Sequence, residues 1–302
     1  MTNEQRLNNL KVPSGMIDVV LDTDAYNETD DQFAIGMLLR SKEKLNTVAL
    51  YAAPYHNSNS KDAEDGMIKS HDEIIKLLKL ADEPDVPVFY GSRNFLVDEK
   101  TPQPSPAAND LIARAMNYSP EKPLYVVGIG AITNIASALL KKPEIIENIV
   151  IVWLAGHALH WDDTYEFNMM QDIAAARVVM QSGAPFVLLP ANGVVSEFRA
   201  SGPDLEYWLK GKTPLSDFLY QNTIIAEEYR KGIAWTRVIW DVTAIGWLLN
   251  DDDRFMSGTV MPIYLPNYDS FFEKEPIDIP MYYVKNIKRD ELMTHLFEKL
   301  TK

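Results

Sequence analysis

Short apolar runs alternate with longer segments of helical periodicity along most of the chain. The apolar runs are rich in β-branched residues and predict strands at residues 16–21, 47–52, 86–90, 124–127, 149–154, 185–189, 259–265 and 279–284. The helical patterns fall at residues 31–40, 62–80, 107–116, 133–140, 172–182 and 290–300, with a mostly helical stretch from 204 to 250. A strand–helix–strand rhythm of this kind predicts βαβ units and a mainly parallel sheet.

Three of the predicted strands, at residues 17–21, 124–127 and 149–154, are almost continuously apolar. Strands of this type are covered by helices on both faces. We therefore predict one α/β domain over residues 1–302, with an open, mainly parallel sheet of seven or eight strands flanked by helices. The helical C-terminal part is expected to close over a site at the carboxyl ends of the strands, where ligands bind in such sheets.

Composition restricts the chemistry. The chain has 302 residues, a formal charge of −14 and no cysteine, so a metal would have to be held by oxygen or imidazole ligands. The negative charge disfavours nucleic acid and anionic membranes as partners. No apolar run is long enough for a membrane helix and the N-terminus lacks the apolar core of a signal peptide. We expect a soluble, cytoplasmic protein with a small-molecule substrate.

Five carboxylates follow the first predicted strand within ten residues. They are Asp22, Asp24, Glu28, Asp30 and Asp31. Such a group repels itself unless a cation binds, and hard oxygen ligands at irregular loop spacing favour Ca²⁺, with Mg²⁺ next. The alternative is a solvated loop whose last residues cap the following helix.

This segment resembles the signature DxDxGxDDxxAL of nucleoside hydrolases, which split the N-glycosidic bond of ribonucleosides. The matching positions are Asp22, Asp24, Asp30 and Asp31, followed by Ala34-Ile35. The chain departs from the signature by two extra residues before Asp30 and by the absence of the loop glycine.

Three later segments match motifs of the same family in the same order. Residues 130–136 (GAITNIA) resemble its GxLTNIA turn, residues 166–168 (EFN) with Asp172 resemble its EFN…DxxAA stretch, and Trp240-Asp241 stands where the family supplies its last calcium-binding Asp. Each segment alone also fits a structural role, as a helix cap, loop polar residue or core aromatic. Their common order along the chain favours the family.

The resemblance implies Ca²⁺-dependent hydrolysis of ribonucleosides to free base and ribose. It implies Ca²⁺ ligands at Asp24, Asp31, Asp241 and the carbonyl oxygen of Thr133, with Asp24 also taking a proton from the attacking water. It implies sugar-binding roles for Asp30, Asn57, Glu166 and Asn168. It further implies a homodimer or homotetramer.

The leaving base is the least defined part of this prediction. Family members with inosine–uridine preference carry a histidine before the last calcium-binding Asp, whereas this chain carries Trp240. An indole can stack on a purine and favour its protonation, so we expect purine nucleosides and assign Trp240 a role in binding and catalysis. His157 and His160 follow a predicted strand, and either could protonate the base; of the two we name His157 as catalytic.

Two other functions remain open at this point. A phosphatase of the haloacid dehalogenase type would use Asp22-Thr23-Asp24 as its nucleophile motif, although its downstream lysine and second carboxylate pair lack good candidates. A protein that binds nucleosides or ribosyl compounds without turnover is the second alternative.

Overall fold

The computed structural model describes residues 1–302 and contains an eight-stranded sheet. Its strands are β1 (Ile17–Thr23), β2 (Leu45–Ala52), β3 (Val88–Tyr90), β4 (Leu124–Gly128), β5 (Ile149–Leu154), β6 (Phe186–Leu189), β9 (Met256–Ile263) and β10 (Ile277–Ile287). The spatial order is β3-β2-β1-β4-β5-β6-β10-β9, and only β9, at one edge, runs antiparallel to its neighbour. The predicted fold class is confirmed.

Helices cover both faces of the sheet. They are α1 (Asn3–Asn9), α2 (Asp30–Arg40), α3 (Ala63–Leu80), α4 (Pro106–Ala115), α5 (Thr133–Lys141), α6 (Phe167–Gln171), α7 (Ile173–Gln181), α8 (Gly202–Leu209), α9 (Pro214–Ala226), α10 (Val242–Leu248) and α11 (Arg289–Leu300). The core on one face contains α2, α3 and α8 to α11. The core on the other face contains α4, α5 and α7. This two-sided burial explains why β1, β4 and β5 are apolar at nearly every position.

The C-terminal helical region contains a feature that periodicity did not predict. Two three-residue strands, β7 (Arg199–Ser201) and β8 (Thr236–Val238), pair antiparallel between α7 and α10. Segments this short carry too little alternation to be recognised from sequence. The same holds for α1 and α6, which were not predicted either.

The order of the strands determines where a ligand can bind. The chain runs outward from β1 to β2 and β3, then returns to the other side of β1 with β4 and continues to β5. The carboxyl ends of β1 and β4 therefore flank the point where the direction of winding reverses, which is the usual binding position in open α/β sheets. Their register brings Asp22 opposite Gly128. The segments that follow these strands must meet at this edge.

No helix of the structure is both long and apolar enough to cross a lipid bilayer.

Candidate active site

A cavity of about 240 Å³ lies beyond the carboxyl ends of β1, β4 and β5. Six carboxylates line it: Asp24, Glu28, Asp30, Asp31, Glu166 and Asp241. Its other walls include Ile129, His157, Tyr165, Phe167, Asn168 and Trp240. The acidic loop after β1 and the two later acidic motifs thus converge on one space, although about 220 residues separate them.

Asp24 is the most isolated of these carboxylates. It follows directly after β1, it is 1% exposed, and neither of its side-chain oxygens has a hydrogen-bond partner. It packs against Gly130, where a Cβ would lie 2.9 Å from Asp24 Oδ1. A buried carboxylate without a partner is strongly unfavourable, so the arrangement is suited to a bound cation.

Three further carboxylates come from the first turns of two helices. Asp30 and Asp31 begin α2, and Asp241 immediately precedes α10. Ligand atoms of these three side chains lie within 4.8 Å of one another. The Asp241 side chain makes no capping hydrogen bond to its own helix. Asp31 accepts a hydrogen bond from Thr23 Oγ1 at 2.5 Å.

The close approach of these groups disturbs their protonation. Burial raises the pKa of Asp24, Asp31 and Asp241 well above the usual value, and repulsion from neighbouring carboxylates raises each pKa further. Burial also raises the pKa of Asp30, and the nearby Arg237 opposes that shift. Carboxyl groups that share a site in this way hold protons tightly or bind a metal ion. Four oxygen-bearing side chains without a thiolate or imidazole among them fit a hard cation such as Ca²⁺ or Mg²⁺.

The positively charged side chain of Arg237 lies beside the acidic cluster. Arg237 of β8 donates from Nη2 to Glu28 Oε2 at 2.8 Å and from Nη1 to Glu227 Oε1 at 2.9 Å. Its Nη2 is also 3.7 Å from Asp30 Oδ1. Glu227 is buried and is also bound by Arg230. The extended loop after β1 is thereby tied to the segment between α9 and β8.

Glu166 and Asn168 form the wall opposite this loop. The Glu166 carboxylate caps α6 by accepting from the backbone N–H groups of Asn168 and Met169, and it also accepts from Gly156 N at 2.8 Å. Burial raises the pKa of Glu166 to about 7 against the effect of these three donors. Asn168 Nδ2 donates to the carbonyl oxygens of Leu154 and Ile129 at 3.0 and 3.3 Å, which leaves Oδ1 as an acceptor for a ligand.

Aromatic side chains and a histidine complete the cavity. Trp240 is half-buried, and Tyr165 and Phe167 line the same space. Both ring nitrogens of His157 lie 3.3 Å from nitrogen atoms of Asn192, and burial lowers the pKa of His157. His157 is therefore mainly neutral at pH 7. His160 does not line the cavity.

Two residues expected at the site lie outside the cavity. Thr133 begins α5, so its carbonyl oxygen points along the helix toward the next turn, and its hydroxyl donates to Asp172 at 2.7 Å. Asn57 Nδ2 donates to Asn27 Oδ1 at 2.5 Å, and Asn27 rather than Asn57 lines the cavity. For these two positions the structure corrects the expected placement.

Two other polar residues of the family motifs, Asn134 and Asp22, lie behind the cavity wall. Asn134 Nδ2 donates to Asp22 Oδ1 at 2.9 Å, while Asn134 Oδ1 accepts from Ser92 N at 2.7 Å. Burial raises the pKa of Asp22 to about 7, and the hydrogen bond from Asn134 lowers it. Asp22 is fully buried and does not line the cavity. It therefore joins β1 to the start of α5 instead of facing a ligand.

Sequence reasoning assigned no role to three residues in or beside the cavity. Ile129 follows β4 directly, and its position after a predicted strand was a usable signal. Glu28 was counted among the five carboxylates after the first strand but was given no role of its own. Arg237 gave no signal, because its contacts join positions about 210 residues apart.

Comparison with protein families agrees with this geometry. The model of the inosine-uridine preferring nucleoside hydrolases matches residues 19–290. The chain belongs to this family. The resemblance deduced from the four motifs is thus confirmed, and residues of three of those motifs line the cavity of this nucleoside hydrolase.

Individual relatives of this nucleoside hydrolase differ in their preferred base. The pyrimidine-specific ribonucleoside hydrolase RihA of Salmonella paratyphi A is 26% identical over 261 residues, which cover 78% of this chain and 80% of RihA. The solved structure of a purine-preferring ribonucleoside hydrolase from Gardnerella vaginalis matches with a TM-score of 0.75 at 20% identity, over 94% of this chain and 98% of that one. An inosine-uridine preferring hydrolase from Bacillus anthracis matches with a TM-score of 0.67 at 16% identity, over 95% and 99% of the two chains.

Proposed function

We propose that the protein is a Ca²⁺-dependent hydrolase that cleaves the N-glycosidic bond of ribonucleosides to free base and ribose, with purine nucleosides favoured and a role in purine salvage. The observation that carries this proposal is Asp24, whose two buried carboxylate oxygens lack partners beside Asp30, Asp31 and Asp241. Family membership supplies the reaction class, N-ribosyl hydrolysis.

The residues that would hold the cation are Asp24, Asp31 and Asp241. In place of Thr133 we assign the fourth ligand to the carbonyl oxygen of Ile129, because Ile129 lines the cavity and adjoins Gly130, which packs on Asp24. A bound Ca²⁺ would supply positive charge that offsets these carboxylates and acidifies a nearby water.

The side chains then have separate tasks. Asp24 accepts the proton of the water that attacks the anomeric carbon, since it has two free carboxylate oxygens at the cavity wall. The surrounding carboxylates stabilise the positive charge that develops on the sugar as the bond to the base breaks. Asp30, Glu166 and Asn168 bind sugar hydroxyls. Asn57 does not contact the sugar itself but positions Asn27 through a hydrogen bond.

Purine preference rests on the aromatic walls. Trp240, Tyr165 and Phe167 offer π-faces that a two-ring base covers more fully than a one-ring base. The relatives give no single answer, because RihA is pyrimidine-specific and the Gardnerella enzyme is purine-preferring. His157 is a neutral imidazole that is hydrogen-bonded to Asn192, so it is a weak general acid. We therefore propose that stacking on Trp240 contributes more than His157 to activating the base.

The geometry disfavours a phosphatase of the haloacid dehalogenase type. Asp22, which would be its nucleophile, is bound to Asn134 behind the cavity, and no lysine or arginine lines the cavity to neutralise a phosphate. A protein that binds nucleosides without turnover remains the second candidate, because its cavity would look the same.

Base release decides between turnover and binding. Purine and pyrimidine ribonucleosides would be incubated with the protein with and without a chelator, and wild type would be compared with Asp24→Asn and with Asp22→Asn as the matched second variant. We expect chelator-sensitive release of base and ribose that Asp24→Asn abolishes and Asp22→Asn reduces less. Ca²⁺ and nucleoside binding without any product would establish the binding protein instead. Hydrolysis of a phosphate monoester that Asp22→Asn abolishes would favour the phosphatase.

We also propose a homodimer or homotetramer, which the family resemblance supports. Light scattering should give a mass two or four times the 34.2 kDa of the chain. A monomer at micromolar concentration would refute this part.

A further inference from the structure

The hydroxyl group of Tyr55 is buried without a hydrogen-bond partner. Tyr55 lies three residues beyond the end of β2 and is 0% exposed, and no protein atom bonds its hydroxyl oxygen. A hydroxyl that is buried without a partner destabilises the fold that contains it. Such groups persist where a ligand or an ordered water completes the hydrogen bond, so this one indicates a role beyond packing.

Two other phenols of the chain show how the fold treats this group elsewhere. Tyr51 donates to Asp110 Oδ2 at 2.7 Å, and Tyr118 donates to Asp18 Oδ2 at 2.9 Å. Both bonds are complete within the metal-free protein. Tyr55 has carboxylates among its neighbours as well, but it has no such bond.

The segment that carries Tyr55 runs beside Asp24. Ala53 N donates to the carbonyl oxygen of Thr23 at 2.8 Å. A Cβ at Gly130 would lie 3.1 Å from Ala53 Cβ and 2.9 Å from Asp24 Oδ1, so these two side chains are close neighbours. Burial raises the pKa of Tyr55, and among the charged groups around it Asp24 raises this pKa most. A donor without an acceptor therefore lies near an acceptor without a donor, because both carboxylate oxygens of Asp24 are also unpartnered.

Close packing fixes the position of Tyr55. A Cβ at Gly66 of α3 would overlap the carbonyl oxygen of Tyr55 and would lie 2.9 Å from Tyr55 Cδ1, so the helix approaches this residue as only glycine allows. The same carbonyl oxygen accepts from Ser60 Oγ at 3.2 Å. Backbone and ring are thus held from two sides, and the hydroxyl is preorganised for a partner.

We propose that Tyr55 is a positioning residue of the cation site, whose hydroxyl donates a hydrogen bond to the Asp24 carboxylate in the Ca²⁺-loaded protein. The inference rests on the proposed function, since it concerns the cation site of that function. The two groups are not bonded to each other in the metal-free protein, so Asp24 either shifts on loading or shares one water with Tyr55. One oxygen of Asp24 then accepts from Tyr55, and the other stays available at the cavity. A hydrogen bond to an ionised carboxylate is among the stronger ones, so it orients Asp24 firmly.

The test is the substitution Tyr55→Phe, which keeps the ring and removes only the hydroxyl. Calorimetric titration of Ca²⁺ into the metal-free protein gives the Kd, and thermal unfolding with chelator gives the stability without metal. We expect the Kd for Ca²⁺ to rise about five- to tenfold, the effect of one lost hydrogen bond. The Tm without metal should stay the same or rise, because the variant no longer buries an unpartnered hydroxyl. A tyrosine with a merely structural role would not give these opposite effects.

Kinetics with inosine provide a second measurement. At saturating Ca²⁺, Tyr55→Phe should lower kcat and change KM little, because Asp24 loses its orientation while the side chains that bind the sugar are unchanged. A rise in KM at unchanged kcat would assign Tyr55 to the sugar instead, and the inference would be wrong.

Tyr51→Phe is the matched control. Tyr51 is also 0% exposed, but its hydroxyl is bonded to Asp110 of α4. This variant should lower the Tm without metal and leave the Kd for Ca²⁺ unchanged.

Three results would overturn the inference. Tyr55→Phe could bind Ca²⁺ as tightly as wild type, or it could be less stable than wild type without metal or fail to fold, since the hydroxyl would then have a partner within the fold. A wild-type protein that binds no Ca²⁺ is a different result, because the cation site of the proposed function then fails and the inference fails with it.

Discussion

Replacing Asp241 with asparagine should stabilise the metal-free protein and remove its response to Ca²⁺. Ligand atoms of Asp241, Asp30 and Asp31 lie within 4.8 Å of one another, and each of the three residues is at most 3% exposed. Coulomb's law gives about 3 kcal/mol of repulsion for each fully ionised pair at this distance and an effective dielectric constant near 20. The substitution would remove two such pairs, and the amide of the new side chain can donate to Asp30 without requiring a bound proton.

The net gain is smaller than this sum, because the metal-free cluster relieves part of its repulsion by binding protons. We expect about 1–3 kcal/mol at pH 8, which corresponds to a rise of roughly 2–6 °C in Tm for a chain of this size. The pKa of Asp241 is raised in the folded protein, so its ionisation destabilises the fold as pH rises from the unfolded value toward and past the folded one. The advantage of Asp241→Asn should therefore be largest at pH 8 and shrink toward pH 5.

Thermal unfolding with chelator and with saturating Ca²⁺ measures both effects. Wild type should gain about 2.7 kcal/mol at a Ca²⁺ concentration one hundred times the Kd, and the variant should gain little. Asp72→Asn, which removes an exposed carboxylate on α3, should behave as wild type. A variant that is less stable than wild type without metal at pH 8, or that keeps the full Ca²⁺ response, would refute the assignment of these carboxylates to a cation site.

Three other variants test separate parts of the site. Asn134→Ala should lower the free energy of unfolding by about 3 kcal/mol, because it leaves Asp22 and the Ser92 N–H buried without partners. Urea denaturation at an unchanged m-value measures this loss. A loss below about 1 kcal/mol would contradict the prediction. Trp240→Ala should raise the KM for inosine about tenfold while Trp240→Phe raises it less; equal effects on inosine and uridine would count against stacking on a purine. Arg237→Gln should lower kcat/KM at least tenfold, because Glu28 loses its hydrogen bond from Arg237 and Asp30 loses the nearby guanidinium charge. Kinetics that match wild type would show that the ion-pair network does not position the loop.

Much of the site was predictable from local sequence. An apolar strand that ends in Asp22-Thr23-Asp24 predicts carboxylates at the edge of a parallel sheet, and the structure places Asp24, Asp30 and Asp31 there. Glu166, Asn168 and Trp240 also line the cavity, as expected from the position of their motifs after predicted strands or before a helix. The positions of these residues could be predicted because strand direction and helix starts are local properties.

The errors concern side chains and carbonyls whose direction depends on the path of a loop. Thr133 is the first residue of α5, where helical hydrogen bonding directs its carbonyl oxygen along the helix, and Ile129, which follows β4, lines the cavity instead. Asn57 donates a hydrogen bond to Asn27, and it is Asn27, on the loop after β1, that lines the cavity. A motif specifies the order of residues, whereas backbone direction specifies which atom faces the ligand.

By itself, then, the sequence determined the parallel sheet, the acidic edge of that sheet and the family, because apolar periodicity and short motifs encode them locally. Tertiary structure alone decided the electrostatics of the site. Whether Asp24 lacks a partner, and whether Arg237 is shared by Glu28, Glu227 and Asp30, depends on contacts between segments up to 209 residues apart. Charge interactions act through space and depend on burial, so their strength is defined only once the chain has folded.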